Sequence, residues 1–395
     1  MTRLSEQVKA SVSLRRLAER AGVAWDPRKS APRRGDWWAP CPFHAERSAS
    51  FHVLEPAGAG GFFKCFGCGR KGSAIDFVIE AEGVPVREAL RRLASSAGID
   101  REDTAAAARR AEAHARARAA AEAEDAERAA RGLEAARWIW RQTEPAGPLL
   151  ESYLAARGVD LAAIGGVPAS LRFAPALEHW AHGADTRRAR PLHVGPAMVA
   201  AIGRGALVGV HRTWIAAEGR ARLPDGAKVG KKMIGRTGAI FGAPVRLSTS
   251  RLGVVVGEGI ETTLAAWSAL VRAGLGGRWG AEAALSLGAL AGPGDPRGKG
   301  PAGPDGYPLP SPRPDLGARV PHWLPAEGVR AALILGEGSA KGGGEAARRF
   351  AERARAKLAA RGFEAEVRVP GGRWDLEADF ADLAAAEAAR VAPER

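Results

Sequence analysis

The chain has 395 residues, a formal charge of +14 from 58 Lys and Arg against 44 Asp and Glu, and 46% hydrophobic residues. Such a length supports two or three domains with real cores, the apolar content is that of a globular protein, and the basic balance favours a polyanionic partner. No run of 18 apolar residues is present, which excludes a transmembrane helix; the opening residues lack the apolar segment of a signal peptide, and three cysteines without an export signal predict a cytoplasmic protein with no membrane partner.

In chain order, Leu4, Val8, Val12 and Leu17 recur at helical spacing and predict one small amphipathic helix. Residues 41–73 hold all three cysteines. "GSAIDFVIEAEGVPVREALRRLASSAG" then predicts two short helices that close a first unit, 1–98. Residues 99–144 are rich in Ala, Arg and Glu with no large apolar residue before Leu133, which predicts a solvated connector helix. Residues 145–247 read as a mixed α+β region: a helix in "PLLESYLAARGVD", then strands in "SLRFAP", "AMVAAIG" and "ALVGVHRTWI". From 248 to 395 strands and helices alternate, which predicts a parallel sheet covered on both faces, with ligands at the carboxyl ends of its strands. The second of those strands is expected in "AALSLGAL". A Pro- and Gly-rich insertion at about 291–325 reads as a partly mobile loop.

Two clusters carry chemistry. Cys41 and His44 are separated by two residues, as are Cys65 and Cys68, with twenty residues between the pairs. Two such knuckles close a tetrahedron around zinc, and thiolates plus imidazole in closed four-coordination signal a structural ion. His52 is an alternative ligand but breaks the spacing and fits a strand face. Phe43, Phe51, Phe62, Phe63 and Phe66 interleave with Arg47, Lys64, Arg70 and Lys71. That pattern suits single-stranded nucleic acid, although Phe43, Phe51 and Phe66 also suit the core of a small ribbon. The second cluster is "VVVGEGIETTLAA" with "ALILGEGSAKGGGEAA", which set Glu258 and Glu337 in glycine-flanked turns after buried strands. Two acidic strand ends can converge on one Mg²⁺.

"CPFHAERSASFHV", "KCFGCGRKGSAIDFV" and "VREALRRLASSAG" resemble the zinc-binding domain of bacterial DnaG-type primases, including Pro42, Phe43, Ser50, Phe51, Phe66, Gly67, Gly69 and Gly72. "YLAARG", "LRFAPAL", "PAMVAAI", "GVHRTWI", "KKMIG", "VVGEGIETTLAA" and "DFADL" resemble the Toprim primases of phage- and plasmid-type elements. The resemblance implies an N-terminal zinc ribbon that engages template DNA, an α+β subdomain, and a Toprim-like parallel sheet. It implies primer synthesis from ribonucleoside triphosphates with Mg²⁺ or Mn²⁺, on single-stranded DNA. It makes Glu258 a catalytic metal ligand or acid/base and Glu337 a catalytic metal ligand, with Ser286, Leu287 and Gly288 on the middle strand. Lys231, Lys232 and Arg236 would hold triphosphate or template, with His211, Arg212 and Trp214 lining the same groove. Lys64, Arg70 and Lys71 would serve the ribbon's nucleic-acid face. The family pattern has two aspartates where this chain has Glu337 and Ser339, a departure that weakens the metal site; Asp379 or Asp382 would supply the missing carboxylate or else cap a helix. No Walker-type loop is present, so any replicative helicase would be a separate partner. The rival expectation is a primase-derived nucleic-acid-binding protein without catalysis.

Overall fold

The computed structural model describes residues 3–44, 46, 48–56, 60–97, 104–181, 190–249, 252–303, 306–338, 344–374 and 378–391. It is a mixed α/β, multi-sheet chain that divides into two compact units, Met1–Arg128 with Pro293–Val320, and Ala129–Gly292 with Pro321–Arg395.

In the first unit the expected opening helix is two, α1 (Arg3–Ser11) and α2 (Leu14–Arg20). Ser13 breaks them: it takes an extended conformation and its hydroxyl accepts the Arg16 N–H at 3.2 Å. A serine at that place favours a new N-terminus over continuation. Four antiparallel strands follow in sheet order, β1 (Asp36–Ala39), β2 (Phe51–Leu54), β3 (Phe62–Cys65) and β4 (Lys71–Ser73). Strand alternation sorts their side chains. Phe51, Val53, Phe63 and Cys65 are buried on one face, and Phe43, Phe51, Phe63 and Phe77 pack with ring centroids 5.4–6.2 Å apart. Phe77 lies on α3 (Ala74–Glu82), which opens on a Ser73–Asp76 capping box and stops at Gly83, φ +68°. The helices α4 (Val86–Ala97) and α5 (Thr104–Arg141) follow.

Most of the expected insertion, Pro293–Val320, belongs to this unit rather than to the C-terminal sheet. Arg70 Nη2 donates to the Gly294 carbonyl at 3.5 Å and Lys299 Nζ to that of Pro42 at 3.1 Å. Its Pro and Gly content left the sequence without a pattern that names a packing partner.

The second unit opens with α6 (Pro148–Ala156) and α7 (Leu161–Ile164). An antiparallel sheet follows, of β5 (Leu171–His179), β6 (His193–Ile202), β7 (Gly209–Ala216), β8 (Gly219–Arg220) and β9 (Lys232–Gly235), with β9 paired to β7. One of its faces packs Ala174, Ala197, Val199 and Trp214 against Ala136 and Ile139 of α5. The other contributes Met198, Ala200 and Ile215 to the main core.

The last sheet contains β10 (Val245–Ser248) and β11 (Gly253–Gly257), then β12 (Trp279–Ala283), β13 (Ala331–Leu335) and β14 (Glu364–Arg368). Between these run α8 (Ile260–Arg272), α9 (Leu287–Ala291) and α10 (Glu345–Ala359), and α11 (Phe380–Val391) closes the chain. Its order is β10-β12-β11-β13-β14, parallel except for the antiparallel edge strand β10. Both faces are covered: Val255 packs with α8 residues Ile260 and Leu264, and Val254 and Val256 with α10 residues Ala354 and Leu358.

One strand differs from expectation. The second strand ends at Ala283, so Ser286, Leu287 and Gly288 are not on it. Leu285 adopts φ +67°, and the Ser286 hydroxyl accepts the Ala289 N–H at 3.0 Å to start α9. The apolar run of the short helix resembled a buried strand, whereas the true strand carries a charge, Glu282. That carboxylate is buried and held by Arg204 at 2.6 and 2.7 Å and by the Trp323 indole N–H at 2.8 Å.

Candidate functional site: a zinc centre and an acidic cleft

In the first unit the two knuckles meet. One ligand atom from each of Cys41, His44, Cys65 and Cys68 lies within 4.8 Å of all the others. Cys41 Sγ and Cys68 Sγ are 4.0 Å apart, and Cys65 Sγ and His44 Nδ1 are 3.8 Å apart. Zinc with Zn–S bonds of about 2.3 Å sets tetrahedral donors about 3.8 Å from one another, so the donor set fits the ion. Glu46, which spacing did not single out, completes the centre. It takes the Cys41 N–H at 2.8 Å and the Ser50 hydroxyl at 2.5 Å, and lies 3.2 Å from His44 Nε2. A carboxylate on the far nitrogen leaves Nδ1 free to face the metal. Gly67 is required by closeness: a Cβ there would lie 2.7 Å from His44 Nε2.

The outward face of the ribbon sheet carries stacked rings. Trp38 lies 4.3 Å from His52 and 5.4 Å from Phe66, both near parallel. Lys29 Nζ sits 3.9 Å over Trp38, and Lys64 Nζ 4.9 Å over Phe66. Lys64 also pairs with Asp125 of α5. His52 hydrogen-bonds Asp36 at 2.8 Å and so is no zinc ligand. Phe66 stands on this face, while Phe63 takes the core place expected of it. Lys71 is exposed on β4 opposite Lys64. Arg70 corrects the sequence reading. It is buried, 3.3 Å from Glu80, and donates to the Phe43 carbonyl at 3.2 Å, so it is a structural cation rather than a surface contact. Its neighbours come from α3, which ribbon spacing does not reveal. Arg47 lies outside the described residues.

In the second unit a cleft of about 930 Å³ opens at the carboxyl ends of β11 and β13. Glu258 follows β11 and Glu337 follows β13, two neighbouring parallel strands with Val256 opposite Ile334. The two carboxyls are near enough for each to shift the other's protonation. Burial, then the Glu258 charge and Asp379, push the Glu337 carboxyl up to about 8. Burial raises Glu258 as well, so ionising both carboxyls at once is unfavourable. Two neighbouring half-buried carboxyls whose joint ionisation is costly are a fitting place for a divalent cation, and Mg²⁺ takes few protein ligands. Among the described residues, the Cys-His-Cys-Cys set alone brings three or more His, Cys, Asp or Glu ligand atoms into one cluster. The carboxylate site is therefore a pair.

Asp379 and Asp382 line the same cleft. Each accepts the other's backbone N–H, at 2.8 and 3.0 Å, capping α11, and both are held by Arg157 at 3.0 and 2.6 Å. Of the two roles the sequence left open for them, capping is the one seen. Ser339 lies outside the described residues.

The basic residues divide by strand alternation. Lys231 and His211 line the cleft; Arg212, Trp214, Lys232 and Arg236 do not. Arg212 faces Lys232 across β7 and β9 on the other side of that sheet. Sequence reasoning missed what holds Lys231. Its Nζ donates to Glu261 at 3.2 Å, and the Tyr153 hydroxyl donates to the other Glu261 oxygen at 2.7 Å. Burial opposes ionisation of Glu261, but Lys231 and Tyr153 overcome it and hold the carboxyl down to about 2. Burial and Lys231 push His211 down to about 4, so it is neutral near pH 7. The "GEGIE" motif offered Glu261 as a signal; nothing in it pointed to Tyr153, 108 positions away. Arg157, Arg220 and Lys228 add positive charge to the walls.

The first unit thus contains a zinc ribbon of a defined class: residues 26–109 match the family model described as the CHC2 zinc finger. The relatives of this N-terminal region are DNA primases. That of Treponema pallidum (strain Nichols) is 51% identical over 69 residues, 17% of this chain and 11% of that protein. That of Geobacillus stearothermophilus is 47% identical over 60 residues, 15% of this chain and 10% of that protein. The matches therefore span about a tenth of the relatives' own length. Residues 130–245 match a model described as a domain of unknown function, DUF7146. A crystal structure of the Aquifex aeolicus primase, with its zinc binding and RNA polymerase domains, aligns over 99% of this chain and 84% of that one, at 16% identity and a TM-score of 0.35. No helix among the described residues is long and apolar enough to cross a membrane.

Proposed function

We propose that this chain is a primase-like protein that binds single-stranded DNA and joins ribonucleotides by metal-dependent nucleotidyl transfer. The observation that carries the reading is the Glu258–Glu337 pair at adjacent strand ends, facing Lys231 across one cleft, in a chain that also holds a primase-type zinc ribbon. The zinc is structural. In the ribbon, Trp38 and Phe66 would stack on bases while Lys29 and Lys71 neutralise phosphates; Lys64 would join them only by leaving Asp125.

In the cleft, Glu258 and Glu337 would hold Mg²⁺ or Mn²⁺. The cation, when bound, neutralises phosphate charge as a 3′-hydroxyl displaces pyrophosphate from the next nucleotide. Lys231, kept protonated and fixed by Glu261 and Tyr153, would bind a phosphate oxygen. Arg220 would contribute a second positive charge. Asp379 and Asp382 would position Arg157 rather than ligate metal. Template DNA and ribonucleoside triphosphates are the partners this reading requires, with any helicase a separate protein.

The departure at Ser339 favours a second reading, a nucleic-acid-binding protein without catalysis. Oligoribonucleotide synthesis on single-stranded DNA, assayed with Mg²⁺ and with Mn²⁺, decides. Product that disappears in Glu258→Gln supports the enzyme. DNA binding without product under either metal supports the second reading.

A further inference from the structure

The antiparallel sheet of the second unit carries a cluster of cations on the face turned away from the acidic cleft. Arg212 on β7 and Lys232 on β9 are directly opposed in register. Like charges so placed destabilise a strand pair unless something neutralises them. Among the described residues neither makes an ion pair with a carboxylate. Burial alone holds Arg212 down to about 10, and burial together with Arg212 lowers Lys232.

His179, at the end of β5, completes the cluster. It is 5% exposed and packs edge-on against Trp214 at 4.6 Å, while the Arg212 guanidinium sits 5.8 Å over the same indole. Trp214 is fixed by donating its N–H to the Leu177 carbonyl at 2.7 Å. Neither ring nitrogen of His179 nor Nε of Arg212 makes a hydrogen bond of ordinary geometry, and only the backbone of Gly230 and of His179 itself favours the protonated imidazole, against burial and the Lys232 and Arg212 charges. Buried polar atoms are rarely left so, and three of them beside two uncompensated cations form a site with the wrong complement of charge for an empty core.

We propose that His179, Arg212 and Lys232 form a phosphate-binding pocket, separate from the acidic cleft. Arginine offers a planar fork, lysine a point charge and histidine a ring N–H, a donor set that suits a tetrahedral oxyanion with no metal. The phosphate belongs either to a nucleic-acid strand or to a free nucleotide, and the two ligands of the test separate these sources. The inference does not rest on nucleotidyl transfer in the cleft.

The test uses the full chain without added divalent metal. Binding of a single-stranded oligonucleotide is followed by fluorescence anisotropy across a salt series, and binding of inorganic pyrophosphate by calorimetry, for the wild type, Arg212→Gln and Lys232→Gln. Lys232 is half-buried and serves as the variant that keeps the Trp214 packing. Each substitution is expected to weaken the phosphate ligand about tenfold, the loss of one charge-assisted hydrogen bond. For the oligonucleotide it should also reduce the slope of log K against log salt by about 0.7. Loss confined to the oligonucleotide identifies a nucleic-acid backbone, and loss of pyrophosphate binding identifies a nucleotide. Unchanged affinity for both ligands in both folded variants overturns the proposal.

Discussion

The zinc centre and the acidic cleft are built in opposite ways. The centre draws its four ligands from a stretch of fewer than thirty residues and closes on itself, with Glu46 bracing His44 from two positions away. The cleft gathers Tyr153 and Glu261 from α6 and α8, and Lys231, Glu258 and Glu337 from the ends of β9, β11 and β13, and its carboxyls resist joint ionisation. A structural metal lets a small unit fold with few apolar residues. A reactive site instead holds like charges together at a cost, and a large surrounding core stabilises the arrangement.

The sharpest way to break this contrast is to remove the zinc. Metal binding to such knuckles contributes on the order of 10 kcal/mol to folding, so Cys65→Ser should release the ion and unfold the ribbon sheet outright. Zinc content and limited proteolysis would read this, with cleavage expected among 36–73 and residues 129–292 protected. Protection of the ribbon without zinc would show that the phenylalanine core suffices. Next in size is Glu258→Gln, which should lower metal-dependent synthesis at least about a hundredfold while the melting temperature holds or rises, because a buried charge is lost. A melting temperature that collapses would make Glu258 a structural residue.

What could be read in the sequence follows the same contrast. Cys41, His44, Cys65 and Cys68 were legible because their geometry is a matter of local spacing. Trp38 and Lys29 were not, since they precede the knuckles and reach Phe66 and the outer face only through the pairing of β1 with β2. Arg70 looked like a surface cation beside Lys71 and is buried by α3. The strand-helix alternation of the C-terminal half was legible from apolar runs, and it brought Glu258 and Glu337 to one end of a sheet. It failed at Ser286, where a serine N-cap outweighed an apolar run. Lys231 and Lys232 are adjacent in sequence and chemically alike, yet a strand period of two sends them to opposite faces.

Proton competition in the cleft has a measurable pH signature. The folded-state pKa of Glu337 is raised above its ordinary value near 4.5, up to about 8. The folded protein therefore binds this proton more tightly than the unfolded chain, and the stabilisation is present at low pH and lost as pH rises through about 8. The difference in melting temperature between wild type and Glu337→Gln should favour the wild type more at pH 6.5 than at pH 9. Mg²⁺ should reverse the trend, since the ionised pair is the ligand. A difference that is flat with pH would show that burial and Glu258 do not raise the Glu337 carboxyl.

The smallest effect probes the brace rather than the reacting pair. Tyr153→Phe removes one hydroxyl and leaves Glu261 Oε1 buried without its donor. The cost should be about 1–3 kcal/mol of stability, because an unsatisfied buried acceptor loses its full solvation. Lys231 still pairs with the other oxygen, so Glu261 stays ionised and synthesis should fall only severalfold. A loss as large as that of Glu258→Gln would place Tyr153 in contact with the substrate. The cleft would then be held together less by its core than by the residues that react in it.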